Sequence, residues 1–386
     1  MLRMKKLLCM LVAILLLFSR STALAATEYS FAIVNANKVN LREKPGGDII
    51  TRLDKGTCVY IAGSQTRGDK LWHQIIVSIR NNQEQRVGWM DASFLTDVCE
   101  LYNDVAEASV GNRHVLLRMQ DGSAASFGFP FKKNIDLTGW GAVTEIAAGR
   151  FASYGLSSDG KTMYSNDWQW HNEDLPLASL HTNSQYDSFN AIDASGALLN
   201  HDDPYLNGAW DYPLEEVLPS GMRVIDAAAS VGLIAAIAED HMLYVAAESG
   251  YFDAALNGNG VESVLDVAIG GHNVYALMMD GTVRCFGKLD DEAVRRIESW
   301  SGIVEIAAGN GFVAALKEDG SVHFAGQMSD KNWYYRKETV DQWLNLEDAG
   351  RLDDWTNMTS IAAGDHILVG VTEDGHIRVT AYMTYD

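Results

Sequence analysis

Proline is scarce in this chain, with six residues among 386 against 34 glycines. That ratio excludes collagen-like and Pro-rich extended architectures and leaves room for many tight turns. Cations are scarce as well: 30 Lys and Arg stand against 51 Asp and Glu, a net charge of −21. Such a polyanion repels nucleic acid and anionic membranes, whose affinity for proteins comes largely from Lys and Arg. There are four cysteines, with no Cys-x-x-Cys pair and no His/Cys cluster at zinc spacing, so no metal site is expected. No apolar run reaches the roughly 20 residues of an ordinary membrane-spanning helix. What is present, 47% apolar and 21% charged residues, is the composition of a folded globular chain.

The first 26 residues have the three parts of a secretory signal. Arg3, Lys5 and Lys6 form a basic start, Leu7 to Phe18 an apolar run, and Ala23-Leu24-Ala25 the small residues a signal peptidase accepts. Cys9 lies in the apolar run without a lipobox around it. Residues 1–26 are therefore expected to be a signal peptide, cleaved or retained as an anchor. The protein is expected to be exported, either extracellular or associated with the cell envelope. Outside the signal, Cys58 and Cys99 could pair as a disulfide in an oxidising compartment if their Cα atoms lie within about 7 Å. Cys285, in Val283-Arg284-Cys285-Phe286, reads as a buried small hydrophobe.

Residues 27–97 alternate apolar and polar residues in short runs broken by Gly, an all-β pattern. Val39-Asn40-Leu41-Arg42 precedes the turn Lys44-Pro45-Gly46-Gly47, and Lys55-Gly56-Thr57 leads into Cys58 to Ile61. Trp72-His73-Gln74-Ile75, Val87-Gly88-Trp89-Met90 and Ser93-Phe94-Leu95 follow. This order resembles the bacterial Src-homology-3-like family. The resemblance implies a small β-barrel that binds peptides or cell-wall material, with Tyr60, Trp72 and Trp89 as candidates for a ligand groove. The competing expectation is that Trp72 and Trp89 are barrel core.

From residue 98 to 386 the chain repeats. Gly111 leads to Asp121-Gly122, Gly149 to Asp159-Gly160, Gly270 to Asp280-Gly281, Gly309 to Asp319-Gly320 and Gly364 to Asp374-Gly375, always glycine to glycine in eleven steps. Ser230 with Asp240-His241 gives a sixth copy, and Ser195-Gly196 a degraded seventh. Each unit reads as a small-residue strand such as Ile306-Ala307-Ala308-Gly309, a second strand, a two-residue hairpin turn and a returning strand. Such hairpins cannot bury their faces alone, so they must stack, and stacked sheets close into a propeller. Near the axis only Ala, Gly or Ser fits. Turn-to-turn distances from 36 to 55 residues suit four-stranded blades with loop insertions. One route to closure is for residues 98–105 to add a strand to the last blade.

The copy Val304 to Val322 is similar to the regulator-of-chromosome-condensation repeat family, and the resemblance implies a seven-bladed propeller. The fold class expected is thus all-β, a small SH3-like β-barrel followed by a seven-bladed β-propeller. The histidine which that family places three positions after the glycine occurs here only as His114. The nuclear exchange activity of eukaryotic relatives is not carried over to an exported acidic chain.

Hydrolase and calcium-loop signatures are missing: there is no G-x-S-x-G, H-E-x-x-H or D-x-D-x-D-G. No cofactor is expected. Propellers bind through loops at one end of the channel, so the residues just after each aligned glycine are the candidate partner-binding rim: Asn112, Arg113, Arg150, Phe151, Tyr186, Asp187, His272, Asn310, Asp365 and His366. They could equally be turn residues chosen for backbone geometry. Trp168, Trp170, Trp210, Trp333 and Trp355 lie in inter-blade loops, where Trp either stacks sugar rings or plugs the groove between blades; plugging is the preferred reading. The expectation is a non-enzymatic exported binding protein, its barrel on cell-wall material or peptide and its propeller on a protein or glycan. Two alternatives stay open: a proteinaceous inhibitor of a secreted or envelope enzyme, and an envelope glycan hydrolase using carboxylates at the propeller mouth.

Overall fold

A computed structural model describes residues 31–79, 84–128, 135–150, 153–165, 177–182, 189–201, 218–230, 233–247, 260–287, 289–328 and 351–381. Residues 1–26, the expected signal peptide, lie outside them. No helix among the described residues is long and apolar enough to cross a membrane.

The chain is all-β: one seven-stranded sheet, then seven three-stranded antiparallel sheets in chain order. The N-terminal sheet runs from the strand Phe31–Val34 to the strand Leu95–Asp97, and these first and last strands pair with each other. Ala32, Val39, Leu41, Leu53, Val59, Ile75, Met90 and Leu95 gather into one core. Every strand contributes to it, so the sheet is curled on itself. Side chains alternate across a strand, which puts Phe31, Tyr60 and Ile76 on the opposite side of that sheet. There they join Val98, Val105, Val110, Phe127, Ile367, Val369 and Ala381 in a second core. The N-terminal sheet is therefore packed against the first and last small sheets. Tyr60 donates its hydroxyl to the Ala381 carbonyl (3.0 Å), the Gly128 N–H reaches the Cys58 sulfur (3.3 Å), and Phe31 meets Phe127 edge-on.

Each small sheet is built by one rule. A first strand, such as Ile303–Gly309, pairs with Phe312–Lys317, which pairs with Val322–Gly326. The second turn differs from expectation. Lys317 N–H donates to the Ser321 carbonyl and Gly320 N–H to the Lys317 carbonyl. This is a three-residue loop, a type I turn closed by a residue of positive φ, rather than a two-residue hairpin. All seven sheets repeat the pattern, with φ near +80° at Gly122, Gly160, Gly196, Gly281, Gly320 and Gly375 and +60° at His241. The turn carboxylates cap these loops: Asp121, Asp280 and Asp319 each accept from the backbone N–H and the hydroxyl two residues on.

The small sheets form a propeller. The first strands of all seven line one central cavity of about 240 Å³ that includes Ser109, Ala147, His181, Ala228, Ala308 and Ala363. A Cβ on Gly270 would collide with the Gly309 carbonyl, on Gly309 with that of Gly364, and on Gly364 with that of Gly111. The last sheet thus abuts the first as neighbouring sheets abut one another, and the glycine ending each strand permits the approach. Val105 N–H donates to the Gly375 carbonyl across this seam, as Ile303 does to Gly281 and Met358 to Gly320 elsewhere.

Among the described residues each small sheet has three strands, and most of the segments where a fourth would follow lie outside the described residues. One expectation is corrected here. Residues 98–105 add no strand to the last sheet: Val98–Leu101 is a one-turn helix capped by Asp97, and Val105 opens the first sheet. The seam is covered instead by the N-terminal sheet. A helix not anticipated from sequence, Asp291–Glu298, is capped by Asp290, whose carboxylate accepts from Glu292 and Ala293 N–H, and it buries Ala293 and Ile297. Trp300 just beyond it and Trp355 are buried between sheets, the plugging role. A Cβ on Gly370 would lie 2.9 Å from the Trp355 ring.

Candidate functional site

The rim after the aligned glycines is partly internal. Asp365 and His366 are buried, and Asn112 donates its amide to the Asp365 carboxylate across the seam. Arg113, Arg150, His272 and Asn310 are half-buried; Phe151, Tyr186 and Asp187 lie outside the described residues. His114 is fully enclosed, its Nε2 at 2.9 Å from Ser153 Oγ of the next sheet, and burial pushes its pKa down to about 4. The Asn112–Asp365 and His114–Ser153 pairs tie neighbouring sheets together, and burial withdraws Asp365 and His366 from the surface.

The candidate groove on the N-terminal sheet loses Tyr60, which is fully buried in the core shared with the propeller. Trp72 is buried too, and Trp89 stays half-buried. Cys58, Cys99 and Cys285 are free thiols. The Cys58 sulfur is engaged by Gly128, and burial pushes both the Cys58 and Cys99 thiols up to about 12. Among the described residues no group of three or more His, Cys, Asp or Glu could hold a metal ion.

A different feature, which sequence reading missed, sits at the opposite end of the channel. Four residues before the aligned glycine (or its serine substitute) stands an acid in five units: Glu107, Glu145, Asp226, Asp266 and Glu305. Each accepts a backbone N–H from the first strand of the next sheet. Glu145 takes Leu180 (2.7 Å), Asp266 takes Ile306 (3.3 Å) and Glu305 takes Ile361 (3.2 Å). Glu107 takes Ile146 and Asp226 takes Val267 in the same way. The result is a collar of carboxylates stitching neighbouring sheets around the axis.

The collar is crowded with one sign of charge. Burial, opposed by the Leu180 N–H, pushes Glu145 up to about 7, with Glu107 adding to the rise and Arg118 opposing it. Burial likewise carries Glu305 to about 7, and Asp266 and Glu107 add to it. Burial raises Asp226 and Asp266, which hydrogen-bond to each other. Arg118 pairs with Glu107 at 2.7 Å. His181 stands 3.8 Å from Asp226, but burial holds its pKa near 4, so it brings no charge at neutral pH. The turn carboxylates behave oppositely: hydrogen bonds from Ser321, with Lys317 adding to them, hold Asp319 down at about 2.

The register explains how the collar is aimed. Pairing slips by one between Val224 and Asp226, between Val264 and Asp266, and between Ile303 and Glu305. The skipped residue is a β-bulge, which re-aims the side chains around it. Ile225, Leu265 and Val304 are those residues, and all three are exposed.

No known family profile matches the chain, and no curated protein matches it. Solved structures to which the chain is similar include three at TM-scores below 0.5. The CRINKLY WD40 ectodomain of the Arabidopsis thaliana receptor kinase ACR4 is 12% identical, with 72% of this chain and 95% of that chain covered and a TM-score of 0.49. The ectodomain of the Physcomitrella patens receptor kinase CR4 is 12% identical over 74% of this chain and 75% of that one, at a TM-score of 0.48. Yeast RCC1 (Prp20), solved bound to Kap60, is 16% identical over 71% and 69%, at 0.37.

Proposed function

We propose that this is a non-enzymatic exported binding protein. Residues 1–26 direct export, residues 27–97 form an SH3-like barrel that contacts peptidoglycan or peptide at the cell envelope, and residues 98–386 form a seven-bladed propeller that holds a partner. Support for seven blades comes from the seven turn units and from the abutment of Gly364 on Gly111. Support for the barrel comes from a core to which all seven strands contribute.

The observation that carries the functional reading is the joint. Two modules of binding type share one apolar core, so a contact made by the barrel orients the propeller rigidly. Because of that shared core, deleting the barrel would damage the propeller as well, and a surface substitution is the better probe. The full exported chain and its Trp89→Ala variant are incubated with purified sacculi and sedimented. Wild type should pellet and the variant should stay largely in the supernatant. Equal recovery of both in the supernatant would remove the envelope half of the reading. Inhibition of a secreted enzyme is the second reading, favoured by the exposed aliphatic side chains around the collar.

A further inference from the structure

Three neighbouring sheets place a large aliphatic residue at the same bulge: Ile225, Leu265 and Val304, exposed to 47, 51 and 45%. In the first and last sheets the bulge holds Ala106 and Thr359, and in the third Ala178. Met279, 49% exposed, stands beside this arc, its N–H donating to the carbonyl of Ser263 next to the Leu265 strand. These four make up half of the exposed large hydrophobics among the described residues, and they lie on consecutive sheets at one end of the channel. A bulge costs a ladder hydrogen bond, and a large aliphatic side chain aimed at water adds nothing to folding stability. Such a patch marks an interaction surface.

The residue after each bulge is Asp226, Asp266 or Glu305, so each aliphatic residue is followed along its strand by an acid. No Lys or Arg pairs with these three among the described residues; Arg118 serves Glu107 on the far side of the collar. The acids are half-buried and crowded with like charge, so a cation brought over them would favour their ionised forms. The surface therefore asks for an apolar contact and a cation side by side. A glycan would want aromatic platforms, and this arc is aliphatic. A second copy of the chain would bring its own acidic collar and a net charge of −21.

We infer that the arc Ile225–Leu265–Val304 docks a protein segment that presents Leu- or Val-like side chains flanked by Lys or Arg, with the basic group set over Asp266. This rests on the reading of the propeller as a binding module and narrows its partner from protein or glycan to a cationic, amphipathic protein segment. Salt weakens such a contact through screening, and loss of the aliphatic side chains weakens it independently of salt.

The test uses the full exported chain and three probes: a Leu/Lys peptide of about 16 residues, a Leu/Glu peptide of the same length, and a chito-oligosaccharide. Binding is followed by fluorescence anisotropy for the labelled peptides and by calorimetry for the sugar, at low and high salt. The Leu/Lys peptide should bind, and the double variant Leu265→Ser/Val304→Ser should weaken it by at least about tenfold. Asp266→Asn should flatten the salt dependence while leaving part of the affinity. Equal binding of the Leu/Lys peptide to wild type and the double variant overturns the proposal, because it would report charge alone. So does equal binding of the Leu/Glu peptide. Binding of the sugar instead, unaffected by the double variant, would refute this docking surface and leave the propeller a binding module. Binding of none of the three would refute the docking surface too. Both serine substitutions are on exposed side chains, and circular dichroism of the variant confirms that the comparison is between folded proteins.

Discussion

The carboxylate collar makes the stability of this protein depend on pH in an unusual direction. Glu145 and Glu305 move from the ordinary value of 4.5 to about 7 on folding. Their protonated forms therefore favour the folded state. That contribution is fully present below about pH 4.5 and is lost as pH rises through about 7. A shift of this size corresponds to roughly 3 kcal/mol per group at full burial. Both carboxylates keep some contact with water, and that figure is reduced accordingly, to about 1–2 kcal/mol each. Of that, the pair loses on the order of 2 kcal/mol between pH 5.5 and 8.5, or about 3–6 °C in melting temperature. Glu145→Gln/Glu305→Gln keeps a carbonyl oxygen to accept the Leu180 and Ile361 N–H groups and removes both titrations. Thermal unfolding followed by fluorescence across pH 5.5–8.5 should fall with pH in wild type and be distinctly flatter in the double variant. The residual slope comes from Glu107 and from the Asp226–Asp266 pair. A wild-type profile level between pH 6 and 8.5, or an identical slope in the variant, would refute the reasoning.

Other expectations test separate parts of the structure. Gly309→Ala places a Cβ against the Gly364 carbonyl and should destabilise the propeller by more than about 2 kcal/mol in chemical denaturation; a change below about 0.5 kcal/mol would mean the sheets do not meet there. Tyr60→Phe removes the buried hydroxyl bond to Ala381 and should cost about 1–2 kcal/mol, with faster amide exchange in Ile377–Ala381 and no change in Val224–Ser230. Cys58 and Cys99, with thiols pushed up to about 12, should resist iodoacetamide at pH 8 in the native protein and react after unfolding. Rapid native labelling would contradict their burial.

The propeller was legible because its rules are local and repeated. An aligned glycine needs the approach of a neighbouring carbonyl, and a turn glycine needs positive φ; both leave a residue type at a fixed step. The turn length was misread as two residues because Asp-Gly suits either hairpin, and only the partner of Lys317 separates them. The collar left a trace as regular as the glycines, an acid at the same offset in five units, but an acid in a strand reads as solvated until its N–H partner is known. The bulges left none: Val224-Ile225-Asp226 looks like ordinary strand, and the slip that exposes Ile225 is set by pairing with the next strand. The helix Asp291–Glu298 was announced by Asp290, by acids in its first turn and by Arg295 and Arg296 in its last, signals that the dominant β repeat obscured. Tyr60 was misassigned because an aromatic on a barrel strand looks the same whether it faces ligand or a second domain.

That second domain bears on how the ring stays shut. A ring of separate sheets has one joint with no covalent continuity from sheet to sheet, here between the last sheet and the first. The remaining joints are held by collar stitches, glycine contacts, backbone bonds such as Ile303 on Gly281 and Met358 on Gly320, and apolar cores shared by neighbouring sheets. This one has Asn112 on Asp365, Val105 on Gly375, and a whole additional sheet laid across it. Phe31, Tyr60 and Ile76 come from one domain, Phe127 and Val105 from the first small sheet, Ile367 and Ala381 from the last, and all are in one core. Opening the ring would expose that core from three sides at once. The apolar patch of Phe31, Tyr60 and Ile76 on the N-terminal sheet is thus explained by closure.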